Sequence, residues 1–358
     1  MLVRLTWPVA ALVPLALTAG CAAVREEPDV VMEMPAPAEP AAAEDPAVPV
    51  SPEERRAELE RRLANLGDDD VWERRRLIRQ IGDLRIEQAT AGVVDYAKLS
   101  YASTDGLEIP AYLFKPLEPA SGTTPAVIYV HGGQHGWFRP RSMPHVTGLV
   151  ERGYIVLAPD YRSSAGYSRE FYEAADYGGL EIDDMLAARE FLAAMPEVDA
   201  GRIAILGMSH GGYNSVMALI RAPGAFAAAV DLFGPSDLVW RVSATPAQNP
   251  NTEPGDREKF ARMVGKTIEE APELYRERSP RYLAHRIQDP LLILHGDQDQ
   301  VVALRESEWL AAALKEAGNR NFTFHVVEGG NHGFPVPVWA EAWQMAFEFL
   351  DRVFSEED

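Results

Sequence analysis

A hydroxyl, a carboxylate pair and an imidazole, each set among glycines, are the groups in this chain whose types and order can do chemistry. Ser209 stands in Gly207-Met208-Ser209-His210-Gly211. A serine hydroxyl is a poor nucleophile at neutral pH, so it needs a base within reach and a third group to orient that base. Downstream the chain offers both. Asp297 and Asp299 lie in His295-Gly296-Asp297-Gln298-Asp299-Gln300-Val301-Val302, and His332 lies in Glu328-Gly329-Gly330-Asn331-His332-Gly333-Phe334. Upstream, His131-Gly132-Gly133 is a stretch whose small residues leave backbone N–H groups free to face an anion. Together these are the parts of an acyl-transfer site, in which the imidazole takes the hydroxyl proton and a carboxylate steadies the imidazolium. G-x-S-x-G alone is a weak signal, because Gly and Ser are common. The other pieces, in order, give it weight.

Those groups need elements to hold them, and each follows a short apolar run. Ala126 to Val130 leads into the glycine pair, Ile203 to Leu206 into Ser209, Leu291 to Leu294 into the aspartates, and Phe324 to Val327 into His332. Tyr154 to Ala158 and Ala228 to Leu232 are two more such runs, and helical patterns at Leu180 to Met195, Tyr213 to Ile220 and Glu306 to Glu316 separate them. Short apolar strands spaced by helices predict an α/β fold, a mostly parallel central sheet with helices on both faces. Such sheets bind ligands outside the carboxyl ends of their strands, where all four groups fall. Asp105-Gly106 joins AKLSYAST to LEIPAYLF, which predicts a hairpin at the sheet edge. A Ser on a strand-to-helix turn, followed in chain order by an acid and then a His, is the arrangement of the α/β-hydrolase fold.

Composition narrows the partners. With 54 acidic and 34 basic residues in 358, the chain carries a formal charge of −20, which repels phosphate backbones and argues against nucleic acid. One cysteine excludes an internal disulfide and a four-cysteine zinc site. That residue, Cys21, follows an apolar run opened by Arg4 and closed by Thr18, Ala19 and Gly20, so residues 1–20 read as an export signal. LTAGC resembles the lipobox of bacterial lipoproteins. The resemblance implies acylation at Cys21, attachment to a membrane through that lipid alone and a place in the cell envelope; an ordinary cleaved signal is the alternative. Residues 21–50, rich in Pro, Ala and Glu without periodicity, read as a disordered tether. Residues 51–92 predict a helical extension: Ser51 is a candidate N-cap ahead of Pro52, Leu59, Leu63 and Leu66 recur with helical spacing, and a second start near Asp70 leads to Leu77, Ile81 and Leu84. Its charges balance, so its apolar stripe is expected to pack on the main domain or another subunit. Residues 93–358 are expected to form the α/β-hydrolase domain that carries the chemistry.

From about Val93 to Phe354 the sequence resembles the catalytic domain of the prolyl oligopeptidase (S9) family of serine peptidases. The likeness rests on the HGG of His131 to Gly133, the run Asp160 to Tyr167, GMSHGG, Tyr275 to Pro280, HGDQDQVV and the closing NHGF. It implies Ser209 as nucleophile, His332 as general base and, between the two aspartates, Asp299 as the triad acid. It also implies an oxyanion hole of backbone N–H groups from His210 and from Gly132 or Gly133. The residue after the nucleophile, usually Tyr in the family, is His210 here. No metal or organic cofactor is called for, and the substrate is a peptide or an ester. Family peptidases carry an N-terminal propeller that restricts access; the stretch ahead of the hairpin is too short and too helical for one, which keeps a carboxylesterase acting on small acyl esters as the alternative. A silent envelope binding protein is a further alternative. Asp160 and Arg162 are a candidate structural ion pair, and Val242 to Ala271 a candidate small lid.

Overall fold

The computed structural model describes residues 51–118, 121–249, 251–252, 254–333 and 337–355. The export signal, Cys21 and the tether lie outside the described residues. Eight strands form one sheet: β1 (Asp95–Ala102), β2 (Glu108–Lys115), β3 (Thr124–Val130), β4 (Ile155–Pro159), β5 (Val198–Met208), β6 (Ala228–Leu232), β7 (Leu291–Gly296) and β8 (Phe322–Val327), in the order β1-β2-β4-β3-β5-β6-β7-β8. β1 pairs antiparallel with β2 and β2 with β4; every other pairing is parallel. The hairpin forms at the expected place, with Gly106 at φ +83° in its turn.

The helices are α1 (Pro52–Ala64), α2 (Val71–Thr90), α3 (Met143–Val150), α4 (Arg169–Glu173), α5 (Leu180–Ala193), α6 (His210–Arg221), α7 (Leu238–Ser243), α8 (Asp256–Val264), α9 (Pro272–Glu277), α10 (Leu304–Glu316) and α11 (Val338–Ser355). The apolar runs lack strand alternation because both faces are covered. On β3, Ile128 and Val130 pack with residues of α5, α6 and α10, while Val127 and Tyr129 pack with residues of α3 and α11. β5 is longer than its apolar run, since it begins at the buried Val198, which pairs with Thr124, and crosses the polar stretch Asp199 to Arg202 with a shift in register. α6 begins three residues before the apolar periodicity does, because the turn at Ser209 starts it in spite of Gly211 and Gly212.

The extension is two helices. Ser51 and Glu54 exchange hydrogen bonds as a capping box at the start of α1. α1 buries no residue fully and lies against α2. α2 buries Leu77, Ile81, Leu84 and Ile86. Ile86 joins the core layer of α3 and α11, so the stripe packs on the catalytic domain.

Asp160 and Arg162 part company. Arg162 bonds Asp184 at 2.7 Å and Asp105 at 3.1 Å, whereas Asp160 accepts from the Phe138 amide at 2.6 Å and from the Tyr167 hydroxyl at 2.7 Å. Residues two apart share a face only while the strand lasts; β4 ends at Pro159, so beyond it Asp160 and Arg162 turn to separate buried partners.

Candidate active site

β5 delivers Ser209 to a turn at φ +55°, ψ −122°, a conformation costly for a side chain that bears a Cβ. The turn is tight enough to forbid side chains two residues to either side. A Cβ on Gly207 would fall 2.3 Å from the Gly211 backbone, and one on Gly211 would fall 2.2 Å from the Val130 carbonyl oxygen. The glycines of G-x-S-x-G are therefore a steric requirement between β3, β5 and α6. The Ser209 amide donates to the Leu232 carbonyl at 2.8 Å, which ties the turn to β6.

Three loops bring the expected groups together. Ser209 Oγ lies 3.0 Å from His332 Nε2, and His332 Nδ1 lies 2.8 Å from Asp299 Oδ2. Asp299 Oδ1 accepts from the amides of Val301 at 2.7 Å and Val302 at 2.9 Å. Burial of this carboxylate opposes its ionisation, but hydrogen bonds from His295 and His332, the charge of His332 and the Val301 amide hold it well below the usual carboxylate range. It is thus an anion, as orienting an imidazolium requires. Asp297 stands elsewhere: exposed, it accepts from the Gly329 amide at 2.8 Å and braces the loop that carries His332. His295 is fully buried, its Nδ1 2.7 Å from Ser307 Oγ and its Nε2 3.0 Å from the Val302 carbonyl. Phe233, at φ +49°, sets its ring edgewise against His332 at 4.7 Å.

The glycine pair borders the nucleophile. A Cβ on Gly132 would meet the Met208 carbonyl at 2.9 Å and Ser209 Cβ at 3.4 Å, and Gly133 takes φ +76°. The Tyr161 hydroxyl donates to the Gly133 carbonyl at 3.0 Å and lies 3.3 Å from that of His131. His131 stacks on Tyr161 at 4.4 Å, and burial pushes its pKa down to about 3, so near neutral pH it is an uncharged packing group. The His210 amide is the first of α6 and has no acceptor one turn back. Its ring is buried among Tyr161, Tyr177 and Tyr213, with Nε2 3.0 Å from Glu181 Oε2.

Glu181, Phe233 and the Tyr161 hydroxyl were not readable as site residues. Each acts through a partner between 28 and 99 positions away, and nothing in the local spacing marks it. Trp137, Phe138, Tyr161 and Tyr177, aromatic residues of loops, are buried in packing contacts. The candidate lid contains α8, whose Phe260, Met263 and Val264 are buried. The Met263 carbonyl accepts from the Tyr177 amide at 3.1 Å, and Phe260 meets Tyr177 at 5.3 Å, so the segment is pinned through Tyr177 to the His210 ring.

Comparison with known proteins agrees with this geometry. The model of the prolyl oligopeptidase family, Peptidase_S9, matches residues 140–357. The chain is 31% identical to the dipeptidyl aminopeptidase BIII of Pseudoxanthomonas mexicana over 259 residues, covering 69% of this chain and 37% of that protein. It is 30% identical to the uncharacterized peptidase YtmA of Bacillus subtilis over 215 residues, covering 60% of this chain and 77% of that protein. Among solved structures it is similar to a puromycin-hydrolyzing peptidase of Mycobacterium tuberculosis, with a TM-score of 0.66 and 26% identity over 74% of this chain and 40% of that one. The chain spans 26% of the first relative it matches and 37% of the second. A family model over most of the chain, on an eight-stranded sheet of this order, leaves one conclusion: the chain belongs to the prolyl oligopeptidase family and has its α/β-hydrolase fold.

Proposed function

We propose that this chain is a serine hydrolase of the peptidase type, cleaving a peptide or amide bond through an acyl-enzyme. One observation carries the reading: the continuous relay from Ser209 Oγ to His332 to Asp299, at 3.0 and 2.8 Å, on a turn whose strain the surrounding backbone enforces. Ser209 Oγ attacks the substrate carbonyl while His332 Nε2 takes its proton. The tetrahedral oxyanion is held by the amides of His210 and of Gly132 or Gly133. Collapse expels the amine, which receives the proton from His332; water, activated by the same imidazole, then releases the acid and restores Ser209. Relatives described as dipeptidyl aminopeptidase and puromycin-hydrolyzing peptidase support peptide-like substrates.

The test is a fluorophosphonate probe on the purified chain, followed by matched p-nitrophenyl esters and peptidyl anilides. Labelling of the wild type that disappears in Ser209→Ala supports the nucleophile. A wild type that does not label refutes the enzyme and leaves a binding protein. Strong ester turnover with no anilide turnover refutes the peptidase in favour of a carboxylesterase. On sequence grounds we further propose export and lipid attachment at Cys21, with residues 21–50 as tether; incorporation of labelled palmitate that persists in Cys21→Ala overturns the attachment.

A further inference from the structure

The helical extension is locked to the loops around the oxyanion glycines. Gly82 of α2 seats the Trp137 ring where a Cβ would stand only 2.2 Å away, and Arg79 Nε donates to the Gly166 carbonyl at 3.1 Å while its guanidinium covers Tyr167 at 4.0 Å. One turn earlier on the same face is Arg75. Its guanidinium lies 4.2 Å over the Tyr172 ring and 4.9 Å from that of Trp72. The other face of this stack is His135, only 3.7 Å from Tyr172 and two residues beyond Gly133. The His135 Nδ1 donates to the Ser163 carbonyl at 2.9 Å, which fixes the stack to the glycine loop.

Arg75 differs from its neighbours. Eight of the nine arginines between Ser51 and Thr90 meet a carboxylate, at 2.5 to 3.8 Å; among the described residues Arg75 meets none. In a chain with 20 more acids than bases, an arginine left without an acid keeps a planar set of five donors uncommitted. Two aromatic rings set its plane, so little side-chain freedom remains to be lost on binding. Lys259 of α8, exposed and also without an acid partner among the described residues, is close enough to His135 to act on it electrostatically together with Arg75 and His210.

We infer that Arg75 is a specificity residue: its guanidinium receives a carboxylate of the substrate, either the free C-terminus of a short peptide or an acidic side chain near the scissile bond. The inference rests on the serine hydrolase reading above and adds the class of substrate. It also gives the extension a task, that of carrying one wall of the binding cleft. A carboxylate fits because guanidinium matches it with two parallel hydrogen bonds, and because the site's own acid, Asp299, is enclosed and already bonded.

The experiment uses one internally quenched peptide in three forms: a C-terminal amide with glutamine near the cleaved bond, the same with a free C-terminal acid, and the amide with glutamate in place of that glutamine. The wild type is expected to prefer at least one acidic form, and which one it prefers identifies the source of the carboxylate. In Arg75→Met, which keeps an unbranched chain but removes the charge and its donors, the acid-to-amide ratio of kcat/KM should fall about tenfold, through KM. Arg75→Lys should keep only part of the ratio, because an ammonium supplies the charge without the paired donors, and raising the salt should erode the ratio in the wild type. Arg76→Gln, on the neighbouring residue that pairs with Glu73, should leave the ratio as it is. A wild type with no acidic preference, an unchanged ratio in Arg75→Met, or an equal loss on all three peptides overturns the inference. Fluorophosphonate labelling is run on every sample. Labelling with an unchanged ratio removes only the inference; a wild type that fails to label removes the hydrolase reading and this with it.

Discussion

The turn at Ser209 and the helix α2 both lean on residues close to the His131 to Gly133 loop, and they hold their places by opposite means. At the turn, backbone meets backbone: Gly207, Gly211 and Gly132 face carbonyls and main-chain atoms at would-be contacts of 2.2 to 2.9 Å. On α2, side chains do the holding, with Trp137 over Gly82 and Arg79 on Gly166, and most of the surface charge is spent on exposed pairs. Backbone contact leaves no room for adjustment, whereas a side-chain tip can move. The turn is therefore brittle and the extension forgiving. That difference orders the consequences of mutation.

The largest effect belongs to Gly211→Ala. The new methyl would meet the Val130 and His131 carbonyl oxygens at 2.2 and 2.8 Å, and neither strand can retreat without breaking the β3–β5 ladder. Destabilisation of more than about 4 kcal/mol is expected, with loss of soluble protein or of fluorophosphonate labelling. A stable, fully labelled Gly211→Ala would show that the backbone at the turn yields, and the contrast would fail.

Buried titrating groups belong to the sheet region as well. His145 stacks on Trp343 at 4.0 Å, and burial pushes its pKa down to about 3. Between about 3 and the ordinary value near 6.5, the unfolded chain binds the proton and the folded chain does not. Stability is then lost as pH falls through that window. His131 has the same sign. Asp160 has the opposite one: burial raises it to about 7, so its contribution declines as pH rises from about 4 to 7. His145→Phe should keep the stack and make the loss of stability between pH 7 and pH 4 smaller by about 3 kcal/mol, read by urea unfolding at each pH. An unaltered pH profile would count against a buried, neutral His145.

Gly82→Ala probes the other region. A Cβ would stand 2.2 Å from the tip of the Trp137 indole, a severe overlap on paper. The tip borders a cavity of about 400 Å³ lined by Leu63, Ile78, Arg85 and Arg139, so the ring has somewhere to swing. Overpacking costs about 1–3 kcal/mol, offset by the roughly 1 kcal/mol that Ala gains over Gly inside a helix. A net loss of about 1 kcal/mol is expected by thermal unfolding, with labelling at Ser209 retained. A loss as large as that of Gly211→Ala would erase the distinction between the two regions.

This difference also explains what was legible in the sequence. Wherever a residue type answers to its immediate surroundings, spacing revealed it: the glycines beside Ser209, the apolar runs of a doubly covered sheet, Asp105-Gly106 in the hairpin and Ser51 at its cap. The fold class and the meeting of Ser209, Asp299 and His332 follow from such signals together with the family pattern, which alone separated Asp299 from Asp297. What stayed hidden depends on pairs chosen across the fold. Nothing near Glu181 marks it as the partner of His210, and nothing near Arg162 says that Asp184 and Asp105 will take it in preference to Asp160. A glycine in the middle of α2 reads as a weak spot until Trp137 is seen upon it. Side-chain pairing at long range is decided by burial, and burial is a property of the whole chain.

The smallest effect tests the surface charge of the extension. Arg61 bonds Glu58 at 2.6 Å on α1, with both side chains more than half exposed. In water such a pair gains little, because solvent screens it and two flexible side chains must be ordered to make it. Arg61 also sits in the last turn of α1, where a positive charge meets the carbonyl end of the helix, an interaction salt likewise weakens. Arg61→Ala is therefore expected to cost less than about 0.5 kcal/mol, and even that should vanish at high salt. Since α1 buries no residue fully, a cost above 1 kcal/mol could not come from lost packing. It would mean that the exposed pairs act as a network, and α2 would then owe its position over the glycine loop to charge on α1 as well as to Trp137 and Arg79.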